Sequence, residues 1–344
     1  MPKVAPISTR KDDHIRINLE KDVRSGIASG LEKYRFIHEA LPELNLADVD
    51  TTLTLFGKKL TSPILISSMT GGTENAGLIN NRLAKAAQEI GIAMGVGSQR
   101  AALENPKLAK TFNVRKVAPD ILLFANLGAI QLNYGFSDDH CKMAVDMIQA
   151  DALILHLNPL QEAVQHGGDT NWNDLARKVK KICKKVGVPV IVKEVGWGIS
   201  KRSAKILIDC GVSAIDIAGA GGTSWSQVEM YRAPNEMTRE IAASFVGWGI
   251  QTAESIQLVR KVAPSLPIFA SGGLRDGIDI AKSICLGATL GGMAGPFLKA
   301  ASISTEKTVQ QIELISRQLS IAMFATGTRK LKDLKKDKLQ KVQY

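Results

Sequence analysis

Between Asp151 and Glu162 the chain reads D-A-L-I-L-H-L-N-P-L-Q-E. The first half is an apolar run of strand length. The second half sets His156, Asn158, Gln161 and Glu162 close together. A buried strand that empties into clustered polar side chains reads as the edge of a site. Pro159 lacks an N–H and discourages the strand from continuing. Taken alone, His156 reads as a structural histidine; with these neighbours it reads as a group that binds a ligand or handles a proton. Glu162 has no obvious basic neighbour in sequence, and a hard cation such as Mg²⁺, bridging to a diphosphate, would account for it.

Other residues point to anions. Lys193 ends the apolar run V-P-V-I-V, and a lysine at a buried strand end needs an anionic partner or a large pKa shift. The anionic N1 edge of a reduced flavin would meet that need. Arg100, in G-S-Q-R, can join Arg10 and Lys11 to neutralise a second anionic group. Two glycine-rich stretches, Ser271–Gly277 (S-G-G-L-R-D-G) and Ala294-Gly295-Pro296, suit close approach of backbone N–H groups to a phosphate. Arg275 adds a charge there. Thr70, Ser98 and Asn126 offer small polar groups for a flat heterocycle, though each alone reads as a turn residue. Gly219–Trp225 (G-A-G-G-T-S-W) adds the hydroxyls of Thr223 and Ser224.

The elements that must position these groups form a regular beat. Eight short apolar runs occur: Pro63–Ser67, Ile92–Val96, Ile121–Ala125, Ala152–Leu155, Val188–Val192, Ala214–Ile217, Pro267–Ala270 and Thr289–Met293. Helix-period segments such as Ile79–Ile90 and Leu175–Val186 lie between them. Strand–helix alternation argues for βαβ units and a parallel sheet. Eight units predict a (β/α)₈ TIM barrel with its site at the C-terminal ends of the strands. An open doubly wound sheet is the second choice; against it, no G-x-G-x-x-G follows the first run. Gly222–Pro267 is expected to be a loop with an added helical piece beside the mouth, a candidate lid, and Lys307–Phe324 a closing helix. Three units result: an arm over 1–50 that is either solvated or folded onto the site, a barrel over 51–325, and a basic tail over 326–344.

With 344 residues, 45% hydrophobic and 22% charged, the composition is that of a globular chain. No apolar run approaches the roughly 20 residues that span a bilayer, and the N-terminus lacks an apolar signal core; no membrane association and a cytoplasmic location are expected. Cys141, Cys183, Cys210 and Cys285 are widely spaced and read as buried structural thiols. The net charge is +11, of which +5 lies in Thr328–Tyr344. A basic body suits an anionic substrate or nucleic acid. The tail reads as a solvated, partly helical end, and it lacks interleaved aromatics apart from Tyr344, so no nucleic-acid partner is expected.

The motifs Arg10-Lys11-x-x-His14, Met69-Thr70-Gly71-Gly72, G-V-G-S-Q-R (95–100), Asn126-Leu127-Gly128, H-L-N-P-x-Q-E (156–162), Lys193-Glu194, Gly221-Gly222-Thr223-x-Trp225 and Gly272-Gly273-x-Arg275 cover nearly the whole chain. Together they resemble the type 2, FMN-dependent isopentenyl diphosphate isomerases. The resemblance implies an FMN-binding, FMN-dependent oxidoreductase-like barrel that interconverts isopentenyl and dimethylallyl diphosphate without net redox. Reduced FMN would act as acid and base through N5, with NAD(P)H as reductant and Mg²⁺ as metal. It implies that Ser68, Met69, Thr70, Ser98, Asn126, Lys193, Thr223, Gly273, Arg275, Asp276, Gly277, Ala294 and Gly295 hold FMN. It implies that Arg10, Lys11, His14, Ser98, Gln99, Arg100, His156, Asn158 and Gln161 hold the isoprenyl diphosphate, with Lys193, His156 and Gln161 catalytic and Glu162 on the metal. A homotetramer or homo-octamer is implied as well. Ser67-Ser68 stands before Met69 where other small residues are expected in relatives. The other reading on the same barrel is a redox flavoenzyme or a nucleotide dehydrogenase. A dehydrogenase using a cysteine adduct would want a cysteine after the sixth strand, and a 2-hydroxy acid oxidase a His–Arg pair after the seventh; neither is present.

Overall fold

The structure, a computed structural model, describes residues 7–342. Residues 1–6 of the arm and 343–344 of the tail, Tyr344 included, lie outside them. Eight parallel strands close into a barrel in chain order. They are β1 (Ile64–Ile66), β2 (Ala93–Gly95), β3 (Leu123–Gly128), β4 (Ala152–Leu157), β5 (Val190–Glu194), β6 (Ala214–Asp216), β7 (Ile268–Ala270) and β8 (Leu290–Met293). Each of the eight predicted apolar runs supplies one strand. Every residue of β1, β2, β3, β5, β6, β7 and β8 is buried, as expected of parallel strands covered on both faces.

Two apolar layers hold the barrel. One fills its interior: Leu65, Ala93, Phe124, Ile154, Ile191, Ala214, Phe269 and Leu290 pack with Leu55 and Leu60 of an antiparallel hairpin (53–55 with 58–60). Phe124 stacks on Phe269 at 6.0 Å, and Phe56 of the hairpin meets Phe124 edge-on. The hairpin therefore plugs the end opposite the site. The other layer lies between strands and helices. The closing helix, Thr305–Phe324, buries Val309, Ile312, Ile315, Leu319 and Met323, a stripe at helical spacing. Its N-cap Ser304 accepts from Lys307 N at 3.2 Å, an interaction whose loss costs about 1 kcal/mol.

Two expectations need correction. The Gly222–Pro267 stretch is mostly helical, with helices Trp225–Arg232, Glu236–Ala243 and Thr252–Arg260; the last is the regular crossover from β6 to β7. The tail is more than a solvated end. Residues 339–341 pair antiparallel with 34–36, and Thr326, Thr328 and Leu334 are buried. Six of the seven tail cations lie outside that strand, which is too short to show a period. Among the described residues no helix is long and apolar enough to cross a membrane.

Candidate active site

The C-terminal ends of the strands surround a cavity of about 500 Å³. Thr70, Ser98, Asn126, His156, Lys193, Thr223 and Arg275, scattered along the sequence, all line it. So do Ser68, Met69, Arg10, Lys11, His14, Arg100, Asn158, Gln161, Glu162, Gly273, Ala294 and Gly295.

The turns after β6, β7 and β8 form one wall. Gly272 and Gly273 have φ of +98° and +78°, and a Cβ on Gly272 would lie 2.0 Å from the Gly219 carbonyl oxygen. Only glycine lets these two turns touch. A Cβ on Gly295 would meet nothing, so the backbone there is open. Gly295 starts the helix Gly295–Ile303, whose first N–H groups have no carbonyl within the helix to bond. Arg275 is largely exposed and bonds Asp279 at 3.2 Å. On the adjoining wall the hydroxyls of Ser67, Ser68 and Thr70 are buried with no partner among the described residues.

Lys193 Nζ donates to the Glu194 carbonyl at 2.6 Å and lies 3.9 Å from Asp216 Oδ2. His156 Nδ1 lies 2.8 Å from Asn126 Oδ1. Burial, with the charges of Lys11 and Lys193, pushes the His156 pKa down to about 3, so its imidazole is neutral at neutral pH.

Glu162 accepts from Asn158 Nδ2 at 2.9 Å and from the Asp169 N–H at 2.8 Å, and burial raises its pKa. The buried Asn158 Oδ1 beside it has no partner among the described residues. One carboxylate and one free amide oxygen can take part of a hard cation's shell, leaving the rest to substrate oxygens. Among the described residues no cluster of three metal-binding side chains exists.

The N-terminal helix, Ile7–Glu20, roofs the cavity. It buries Ile15 and Ile17, and brings Arg10, Lys11 and His14 to the rim. The arm is thus folded onto the site. His14 Nε2 sits 3.3 Å from Glu229 Oε1, with its ring edge-on to Trp225 at 5.1 Å. Glu229, buried on the helix Trp225–Arg232, also accepts from Gln161 at 3.1 Å and pairs with Arg232 at 2.6 Å. Further along, Asn18 accepts from Thr223 at 3.3 Å, and the Ser25 and Ser224 N–H groups donate to Gly222 and Val23.

Four sequence candidates do not line the cavity. Ser224 is buried, with its hydroxyl 2.9 Å from that of Ser226. Gln99 is fully buried behind the wall, donating to the Ala144 carbonyl at 2.8 Å and accepting from the Asn126 N–H at 2.9 Å. It fixes the strand that carries Asn126. Asp276 caps the helix Gly277–Cys285 by accepting from Asp279 N at 2.8 Å. Gly277 packs against the closing helix, where a Cβ would lie 2.2 Å from the Ile315 carbonyl oxygen. Arg100 does line the cavity, but it already bonds Glu104 at 2.8 Å and Asp169 at 3.0 Å. Sequence reasoning missed Asp216 and Glu229. Asp216 stood out as the one charge in the run A-I-D-I; Glu229 gave no signal.

The described cysteines are free, Cys141, Cys210 and Cys285 buried and Cys183 partly so. Burial pushes the thiols of Cys141 and Cys285 up to about 12, which suits inert packing.

The FMN-dependent dehydrogenase family matches residues 140–341. The chain is 54% identical over 331 residues to the isopentenyl-diphosphate delta-isomerase of Rickettsia bellii, covering 96% of this chain and 97% of the relative. It is 56% identical to that of Rickettsia felis, covering 96% of each. Among solved structures, a flavocytochrome b2 variant with sulfite bound superposes with TM-score 0.70 at 18% identity, covering 95% of this chain and 82% of the other. That likeness speaks to the barrel alone.

Proposed function

Because this chain belongs to the isopentenyl-diphosphate delta-isomerase family, in its type 2, FMN-dependent form, we propose that its cavity interconverts isopentenyl and dimethylallyl diphosphate. The observation that carries the reading is one cavity lined both by the glycine turns after β7 and β8 and by the cations Arg10 and Lys11.

The residues fit FMN. Unpartnered hydroxyls of Ser68 and Thr70 suit the flavin's polar edge, together with Met69, Ser98, Asn126 and Lys193. Gly273, Arg275, Ala294 and Gly295, with Thr223 nearby, suit its phosphate. When bound, reduced FMN supplies the acid and base for moving a proton at carbon, with no net redox change.

The chain's own groups orient the substrate. Arg10 and Lys11 would neutralise the diphosphate, and Glu162 with Asn158 Oδ1 would hold Mg²⁺, which would add positive charge there. The neutral His156, fixed by Asn126, donates or accepts a hydrogen bond without adding charge. Gln161, held by Glu229 and Asn158, would offer its amide to the substrate. The helix roof and Trp225 exclude water. NAD(P)H as reductant and a homotetramer or homo-octamer complete the reading, and rest on the family resemblance.

The test is an anaerobic assay in D₂O with isopentenyl diphosphate, FMN, Mg²⁺ and NADPH. Deuterated dimethylallyl diphosphate, formed only with reduced FMN and without stoichiometric NADPH use, is expected. Steady NADPH oxidation with no isomer would overturn the reading in favour of a redox flavoenzyme.

A further inference from the structure

Below the cavity floor sits a carboxylate that packing does not explain. Asp216 closes β6, is fully buried, and stands opposite Lys193 of β5 in the barrel register. Its Oδ1 accepts from Ser271 Oγ at 2.6 Å and from the Ala218 N–H at 3.3 Å. Its Oδ2 has neither solvent nor a hydrogen-bond partner among the described residues. The nearest countercharge is Lys193 Nζ, 3.9 Å away. Burial pushes its pKa up, and Lys193 with the bonds from Ser271 and Ala218 works against that, so the charge is costly to keep there. An asparagine of the same shape could keep the Ser271 bond without the charge. The charge therefore has a use beyond the fold.

Lys193 has three N–H bonds to place. One goes to the Glu194 carbonyl. The charged or titratable groups around it are Asp216 on β6, His156 on β4, which is opposite in register, and Glu194 on its own strand. Glu194 is turned to the following loop, where its Oε2 takes the N–H groups of Val195, Gly196 and Trp197. His156 is held by Asn126. Glu194 feels the Lys193 charge but spends its Oε2 on the loop, so among the described residues Asp216 is the carboxylate that pairs with the ammonium.

We infer that Asp216 is a positioning residue, which, on the FMN reading above, anchors the Lys193 ammonium at the cavity floor so that it meets the flavin in its anionic, reduced form. Asp216 touches neither cofactor nor substrate and acts through Lys193.

The test is a double-mutant cycle with Asp216→Asn and Lys193→Met. In the protein without FMN, Lys193→Met strands the carboxylate and lowers Tm; adding Asp216→Asn restores at least half of that loss. Dissociation constants are then measured anaerobically for oxidised and dithionite-reduced FMN. Asp216→Asn is expected to shrink the preference for the reduced form about tenfold, the low end for loss of an outer orienting partner. In the Lys193→Met background the same change should leave the preference unmoved. A role in the fold alone would lower Tm and leave the preference intact. An equal loss of preference in both backgrounds, or none in the first, overturns the inference. Wild-type protein that binds neither form of FMN would instead overturn the flavin reading, and the thermal cycle would still report on the pair.

Discussion

Glu229 joins the roof of the cavity to its wall, and Glu229→Gln asks how much that junction is worth. The carboxylate serves His14 at 3.3 Å, Arg232 at 2.6 Å and Gln161 at 3.1 Å. Burial opposes its charge, but the contact with the His14 imidazole and the charge of Arg232 hold its pKa below the ordinary value. Glutamine keeps the shape and one acceptor and loses the charge. Losing one charge-assisted bond costs about 2 kcal/mol. For a 344-residue chain that is a fall in Tm of about 3 °C, using about 2.1 cal/mol/K per residue. The local effect should be larger than the global one. About 2 kcal/mol off the roof's docking raises its open population about thirtyfold. Limited trypsin digestion should then cut after Arg16, Lys21 or Arg24 about thirtyfold faster, while cleavage in the barrel barely changes. Unchanged cleavage at those three sites would refute the idea that Glu229 holds the roof.

Three further outcomes are expected. His156, with its pKa pushed down to about 3 by burial and by Lys11 and Lys193, should show no imidazole titration between pH 5 and 8 by NMR; a midpoint in that window would remove it as a neutral hydrogen-bonding group. Burial and Arg10 lower the Lys11 ammonium to about 8, so affinity for inorganic pyrophosphate should fall as pH rises through about 8, and Lys11→Arg should flatten that fall. Burial raises Glu194 to about 7, so the fold binds its proton more tightly than the unfolded chain does, and stability is lost as pH rises from about 4.5 to 7. Glu194→Gln should therefore be more stable than wild type at pH 8 by up to about 3 kcal/mol, with the gain vanishing near pH 4; a pH-independent difference would contradict this.

The barrel was legible because parallel strands buried on both faces leave continuous apolar runs, and polar residues follow each one. The site was legible for the same reason: Thr70, Asn126, His156 and Lys193 are strand-end residues, and a barrel gathers strand ends on one face. What failed was direction. Gln99 and Arg100 are adjacent, yet one points behind the wall and the other into the cavity. Asp276 was read as a ligand of the cofactor, although an aspartate three residues before the N–H it caps is an ordinary helix start. Glu229 stayed hidden because W-S-Q-V-E-M-Y-R carries no apolar stripe; its helix forms against the roof, a partner more than 200 residues away, as in the Thr223–Asn18 bond. The tail strand was hidden because its partner, 34–36, is equally distant and equally short.

The antiparallel pair that ties 34–36 to 339–341 bears on the order in which the molecule comes together. Closing a loop of about 300 residues costs on the order of 5 kcal/mol of chain entropy beyond a constant, and that cost must be met before the contact returns anything. The roof contacts of His14 and Asn18 close loops nearly as long. Contacts so far apart in sequence form late. The cations of Arg10 and Lys11 are thus translated early and docked last, after the barrel they cover exists. A chain caught partway would have strands and helices but no roof; on the proposed reading it could not hold the diphosphate, so competence to bind the substrate would itself mark that folding has finished.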